Sequence, residues 1–268
     1  MPPPRADYHL HSQFSCDAKN TMEEMCRAAI EAGLEEIVVT DHLDLHPLDE
    51  CPGFYRPDAY FDELARCQAQ FDGQLRIKAG VEVGDAHRFA AGVAEVVRGR
   101  PYDFAVGSVH WIGDEAPFGR EFFVSHDGPW AYAGYFRELA RMAHSDDWDV
   151  VGHLDLIKRE GTEYYGKFDA DTYREELRAI LRTLVERGKG IEINTSGWRR
   201  SAGEPCPGLP VLRWYAELGG EILTIGSDAH RTPHVGLFWD KAVALAREAG
   251  LRWLTTFDGR KPTQHRLE

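Results

Sequence analysis

Residues 7–18 read DYHLHSQFSCDA and place His9 and His11 two positions apart, with Asp17 just beyond. On a strand, side chains i and i+2 share a face, so both imidazoles would point one way and Tyr8 and Leu10 the other. Two imidazoles aimed into one space make a costly core and a natural grip for a metal ion. An HxH pair alone is a weak signal, and its weight depends on the other donors in the chain. Such donors recur at the ends of apolar runs. Asp41 and His42 follow VVT, Glu82 sits inside AGVEV, and His110 ends VGSVH. His153 and Asp155 fall in VVGHLD, and Asp228 and His230 close TIGSDAH. Each has a plain structural reading. A lone histidine at a strand end is ordinarily a hydrogen-bonded structural residue. Glu82 could pair with a buried arginine, and DAH could be a turn or a helix cap. The joint pattern carries the weight: neutral imidazole and carboxylate are the ligands that borderline and hard divalent ions prefer. His9, His11, Asp17, His42, Glu82, His110, His153, Asp228 and His230 make nine donors. One zinc site takes only about three protein ligands plus water. Nine donors therefore suit two or three ions, with Glu82 placed to bridge a pair.

Convergence needs a scaffold, and the alternation of short apolar runs with amphipathic stretches supplies one. Strands are expected at 6–11, 36–41, 75–83, 104–110, 150–154, 190–194 and 222–227, with a weaker eighth near 252–256. Helices are expected at 21–32, 58–71, 89–98, 129–144, 170–187, 209–218 and 232–249, with Asn20 and Asp169 placed as caps. Strand-then-helix repetition predicts a parallel sheet, and seven or eight units suggest a closed α/β barrel. A doubly wound open sheet is the alternative, weakened by the lack of a Gly-rich phosphate loop after any early strand. In a barrel all strand C-terminal ends meet at one mouth, where the donors would collect. The non-periodic insert 46–57, rich in proline and aromatics, reads as a loop over one end.

The chain has 268 residues, 43% of them hydrophobic, which suits one barrel with a large core or two smaller domains. Its formal net charge of -13 argues against sequence-blind nucleic-acid or membrane-surface binding. It leaves room for an anionic substrate, because bound divalent cations reverse the local sign. The five cysteines are odd in number, irregularly spaced and free of CxxC. Neither a disulfide framework nor a thiolate zinc site is expected, and a reducing cytoplasm fits best. No apolar signal region opens the sequence and no apolar run approaches membrane-spanning length.

The motifs HLHSQFSCD (9–17), TDH (40–42), GVEV (80–83), SVH (108–110), GHLD (152–155) and SDAH (227–230) stand in an order that resembles the polymerase-and-histidinol-phosphatase (PHP) family. Each is weak alone, while the ordered set spans nearly the whole chain and is specific. The resemblance implies one distorted (β/α)7 barrel domain over 1–268, TIM-barrel-like, with a trinuclear metal cluster at its C-terminal mouth. Carried over motif by motif, one ion would take His9, His11, Glu82 and Asp228. A second would share Glu82 and add His110 and His153. A third would take Asp17, His42 and His230. Some members have histidine where Asp17 stands, so Zn, Fe and Mn all stay open.

The segments SVHWIG (108–113), GHLDLIKR (152–159) and EINTSGWRR (192–200) resemble the histidinol-phosphatase branch in particular. The expected activity is metal-dependent hydrolysis of a small-molecule phosphate monoester, L-histidinol phosphate, in histidine biosynthesis. Arg159 and Arg199 are the expected phosphate ligands, since a guanidinium fork matches phosphate oxygens in pairs. Lys158 and Arg200 compete with them for that role. Catalytic duty falls on Asp17, Glu82 and His230, with either Asp17 or His230 protonating the leaving group. Trp111, Trp198, Phe54 and Tyr55 could stack on the imidazole, Asp155 or Glu160 could attract the ammonium, and His46 and His234 could support the ligands. Three rivals stand beside this reading: the same chemistry on a nucleotide or short oligonucleotide, a metal-dependent amidohydrolase, and a non-catalytic metal-binding module. Oligomeric state is left open.

Overall fold

The computed structural model describes residues 3–267. Eight strands form one sheet: β1 (Ala6–Leu10), β2 (Glu36–Val39), β3 (His42–Leu43), β4 (Arg76–Gly84), β5 (Phe104–Ser108), β6 (Val150–Val151), β7 (Gly190–Asn194) and β8 (Leu223–Gly226). Every pairing among them is parallel. β2 and β3 both pair with β4, so they are one strand interrupted at Thr40 and Asp41. The sheet thus has seven staves. Its two edges meet where Asp228 N donates to His9 O at 2.7 Å and His11 N donates to Ala229 O at 2.9 Å. The result is a nearly closed, distorted barrel. The strands are buried on both faces, which is why β2 reads IVV without alternation after Glu36.

Nine helices surround the staves among the described residues: α1 (Met22–Glu31), α2 (Pro57–Gln70), α3 (Ala90–Arg98), α4 (Gly119–Ser125), α5 (Gly128–Met142), α6 (Lys158–Tyr165), α7 (Arg174–Glu186), α8 (Leu209–Glu217) and α9 (Trp239–Glu248). The cap of α1 is Thr21, not Asn20. Thr21 forms a reciprocal capping box with Glu24, while the Asn20 carbonyl oxygen accepts from Thr232 N at 3.1 Å. Asp169 caps a short 3-10 turn, Ala170–Tyr173, that precedes α7 and divides the expected helix. The expected eighth strand stays outside the barrel. β9 (Trp253–Asp258) pairs antiparallel with β10 (Lys261–Arg266) as a hairpin. Phe257 N donates to Tyr8 Oη, and the Phe257 ring packs 4.9 Å from Phe104.

That contact exposes a second difference. Ser108 reaches Glu82 across the interior, and Phe104 and Val106 share its face by the two-residue period of a strand. Tyr8 packs with Phe104, Val106, Val38 and Val150, hence also inside. His9 and His11 face the same interior, while Leu10 joins the outer core under the helices. The register explains how Tyr8 and His9 share a side: β1 advances from Asp7 to Leu10 while β2 advances only from Ile37 to Val39. One extra residue on β1 makes a bulge, a device that re-aims side chains beside functional sites. Tyr8 therefore closes the apolar floor and His9 begins the polar layer above it.

Candidate metal centre

Glu82 lies at the hub of that polar layer, fully buried on β4. Its two carboxylate oxygens face different partners. Oε2 lies 2.8 Å from His42 Nδ1, 3.3 Å from His9 Nε2 and 3.5 Å from His11 Nε2. Oε1 lies 2.9 Å from His153 Nε2 and 3.3 Å from His110 Nε2, and accepts from Ser108 Oγ at 2.6 Å. Asp228 Oδ1 stands 3.5 Å from His11 Nε2. His230 Nε2 meets Asp17 Oδ2 at 2.9 Å, and His42 Nε2 is 3.8 Å from Asp17 Oδ1. All nine donors expected from the sequence thus converge. His153 and Asp228 reach the centre with φ of +21° and +53°, values that non-glycine residues adopt at a cost.

Burial alone would push the Glu82 carboxyl up; the surrounding imidazoles of His9, His42 and His110 hold it well below the usual carboxylate range. Burial would lower His9, but the Glu192 and Glu82 carboxylates hold its imidazole well above the ordinary value. His11 moves the other way, depressed by burial and by its neighbours His230 and His42. Burial likewise opposes ionisation of Asp17, yet the His230 hydrogen bond and the nearby imidazoles keep it well below its ordinary value.

The outward atoms are held in place. His9 Nδ1 donates to Glu192 Oε1 at 2.8 Å, and the other Glu192 oxygen accepts from His153 N and Asn194 Nδ2. His110 Nδ1 donates to Asp44 Oδ1 at 2.8 Å. His11 Nδ1 donates to Ser15 Oγ, which donates in turn to Asp41 Oδ1. A carboxylate behind an imidazole sets its tautomer and aims the other nitrogen inward. Two glycines allow the approach. A Cβ at position 226 would stand 1.9 Å from Glu192 Oε1, and one at 84 would stand 1.8 Å from Asp44 Oδ1. Sequence reasoning missed Glu192 and Asp44. The signal for Glu192 was there: a carboxylate inside the buried run GIEIN, as Glu82 is inside GVEV.

A cavity of about 970 Å³ opens above the donors. Arg159 and Arg199 line it beside Ser196 and Asp228. Arg159 Nη1 donates to Asp228 Oδ2 at 2.9 Å, and the Arg199 guanidinium donates to the carbonyls of Ser227 and Asp228. Arg200 also lines the space, whereas Lys158 is buried away from it. The insert lies at the opening as expected, with Leu48, Phe54 and Tyr55 on the lining, which Trp111 and Phe118 share. Trp198 is elsewhere, edge-on to Phe238 with Lys241 over its ring. Asp155 is consumed by Lys158, and Glu160 accepts from Gly119 N. Besides the donors Asp17 and Asp228, the carboxylates on the cavity wall are Asp44, Asp49 and Glu50. His46 stacks on Trp111 at 3.9 Å and so supports the wall, and His234 lies on the lining. The cysteine expectation needs a correction: Cys16 and Cys51 form a disulfide between the Asp17 loop and the insert. Irregular spacing hid it because the two loops become neighbours only when the barrel mouth forms.

The PHP domain model matches residues 7–196. The chain belongs to the PHP domain family. A histidinol-phosphatase of Lactococcus lactis subsp. lactis (strain IL1403) is 34% identical over 96% of each chain. A probable histidinol-phosphatase of Deinococcus radiodurans is 32% identical over 93% of this chain and 95% of its own. Among solved structures, a histidinol phosphate phosphatase from Lactococcus lactis, complexed with zinc, L-histidinol and phosphate, superposes with a TM-score of 0.85. It is 31% identical and is covered to 98%, against 96% of this chain. A putative histidinol phosphatase from Listeria monocytogenes shares the fold at a TM-score of 0.76 and 20% identity.

The PHP donors of this chain fit divalent cations. His9 Nε2, His11 Nε2, His42 Nδ1 and Glu82 Oε2 are buried without a hydrogen-bond partner, all facing one space. Unpaired polar atoms in that number are untenable in an apolar interior and ordinary around a metal. Four triads gather within 4.8 Å: His9, His11 and Asp228; His9, Glu82 and His153; His42, Glu82 and His110; and His11, His42 and His230. These clusters can hold metal ions. The PHP motifs put His9 and His153 on different ions and His11 apart from His42 and His230, whereas the triads share these residues.

Proposed function

We propose that this protein is a metal-dependent phosphomonoesterase that hydrolyses L-histidinol phosphate to L-histidinol and phosphate, a step of histidine biosynthesis carried by one barrel domain. The observation that carries the reading is the split environment of Glu82, one oxygen toward His9, His11 and His42 and the other toward His110 and His153. That is the arrangement of a carboxylate that bridges ions. The family match and the two relatives over 30% identical along nearly the whole chain support the substrate.

His9, His11, Glu82 and Asp228 would hold one ion, Glu82, His110 and His153 a second, and Asp17, His42 and His230 a third; Zn, Fe and Mn all suit the donors. Such ions supply a nucleophilic water at neutral pH and neutralise phosphoryl charge. The chain's own groups do the rest. Arg159 and Arg199 grip the phosphoryl oxygens and stabilise charge that shifts in the transition state. Asp17 and His230, 2.9 Å apart at the open side of the cavity, stand where the leaving alkoxide must be neutralised, either by the ion they would hold or, with that ion absent, by a proton from the His230 imidazolium. Trp111 and the insert aromatics Phe54 and Tyr55 flank the imidazole of the substrate, and wall carboxylates attract its ammonium.

Phosphate release from L-histidinol phosphate, set against a panel of nucleoside monophosphates with and without chelator, tests the reading. Turnover of histidinol phosphate alone, abolished by chelator and by Glu82→Ala, is expected. Equal or better turnover of a nucleotide would replace the substrate, and chelator-resistant turnover would end the metal mechanism.

A further inference from the structure

Lys158 opens α6 next to Arg159, yet it is 1% exposed. An ammonium so deeply buried needs partners, and this one has two: Asp155 Oδ2 and Glu204 Oε1, each at 2.8 Å. Asp155 lies on the same turn of chain as Lys158. Glu204 belongs to a different segment, the stretch 200–206 that follows Arg199. That segment is tied at three points. Cys206 and Asn194 exchange backbone hydrogen bonds of 2.9 and 3.0 Å at the end of β7. A Cβ at Gly197 would lie 2.2 Å from Glu204 O, so the 3-10 turn Thr195–Arg199 rests directly on the segment. Ser201 Oγ donates to Arg159 O at 3.0 Å.

The segment therefore clasps the turn that carries Arg199 on one side and the first turn of α6, with Arg159, on the other. Both guanidiniums converge on Asp228, through Oδ2 and the backbone oxygen respectively. Lys158 is the buried cation between these two supports. We propose that Lys158 is a positioning residue: by joining Asp155 to Glu204 it fixes the spacing of Arg159 and Arg199 and so the grip on the phosphoryl group. This rests on the reading that those arginines bind phosphate. The ammonium itself never faces the cavity, so its effect runs through the two arginines.

The test uses Lys158→Met and Glu204→Gln in the metal-loaded enzyme, with Arg159→Ala and Arg199→Ala as references. The readouts are KM and kcat for L-histidinol phosphate, inhibition by inorganic phosphate, and inhibition by L-histidinol, which lacks the phosphoryl group. Both variants should raise KM and the phosphate inhibition constant roughly tenfold, the scale of one misplaced charge-assisted contact, with histidinol inhibition and metal content unchanged. A general packing defect would move both inhibitors together. Lys158→Met strands a buried Asp155 carboxylate and can cost the fold itself; Glu204, 34% exposed, then decides the matter through Glu204→Gln. Phosphate inhibition unmoved by Glu204→Gln, or weakened in step with histidinol inhibition, overturns the proposal. If the arginine references leave phosphate inhibition unmoved, the phosphate reading itself falls instead.

Discussion

The donor cluster has two unlike halves. Around Glu82, the side chains of His9, His11, His110, His153 and Asp228 are all less than a tenth exposed. Across the centre, His42, His230 and Asp17 expose 23%, 24% and 56% of their side chains. The sealed half comes from strand ends and the residues directly after them, braced from behind by Glu192 and Asp44. The open half adds Asp17 and His230 from loops that leave the barrel. Electrostatic interactions strengthen where water is excluded, so the sealed half is built to hold an ion and the open half to exchange water and substrate.

Several measurements can break or sharpen that contrast. The largest difference should lie between Glu82→Ala and Asp17→Asn. The first removes the shared hub and should cost about a thousandfold or more in kcat together with most of the bound metal. The second should cost roughly tenfold and reduce occupancy of a single ion, seen by metal analysis of the purified variants. Equal losses would mean that the halves do not differ. Next comes Glu192→Gln, which leaves every inward donor in place but loosens His9 from behind. Metal titration should show roughly 10- to 100-fold weaker binding, the usual cost of removing a carboxylate behind a ligating histidine.

The pH response is a smaller effect with a definite sign. His42 would be lowered by burial, but Glu82 and Asp44 raise it to about 9. His9 and His110 are raised as well, each through two facing carboxylates that outweigh burial. A histidine raised in the folded state stabilises fully below its unfolded value of about 6.5 and loses that contribution as pH climbs through the folded value. Melting temperatures of chelator-treated protein should therefore fall between pH 6.5 and 9. Metal-loaded protein should behave oppositely over the lower part of that range, because ligands must shed protons to bind. Parallel curves for the two forms would contradict the donor assignment. The smallest expected effect concerns the rim. Reductant or Cys51→Ser should release the insert and raise KM roughly threefold while the ions of the sealed half stay bound, since the insert governs substrate closure.

The difference between the halves also separates what could be read in one dimension from what could not. Most of the nine donors were legible because they are polar residues of metal-binding type at or just after the end of an apolar run, and a parallel barrel brings such ends together; Glu82 inside its run and Asp17 in the loop beyond β1 took their weight from the ordered motif set. The closed α/β barrel was legible through the alternation of apolar runs with amphipathic stretches, and its seven-unit form only through the resemblance to the PHP family. The Glu82 signal worked because GVEV takes its place in an ordered set of donor-bearing motifs; the matching Glu192 in GIEIN belongs to no such donor motif and its partner His9 lies 183 positions away. Asp44, two residues beyond His42, carries no motif of its own and is placed only by its contact with His110, 66 positions away. The weaker eighth strand is present as β9, but strand propensity does not say which sheet a strand joins, and the segment pairs with β10 rather than with the barrel.

Local sequence determined which side chains this protein can offer to cations and how often its chain must turn from strand to helix, since both follow from residue type and short-range period. Tertiary structure alone decided the bulge that aims Tyr8 and His9 into the same interior, the bond between Cys16 and Cys51, and the burial of Lys158 between Asp155 and Glu204. Each of these depends on which distant backbone lies alongside, and that is set by closure of the whole barrel rather than by any segment within it.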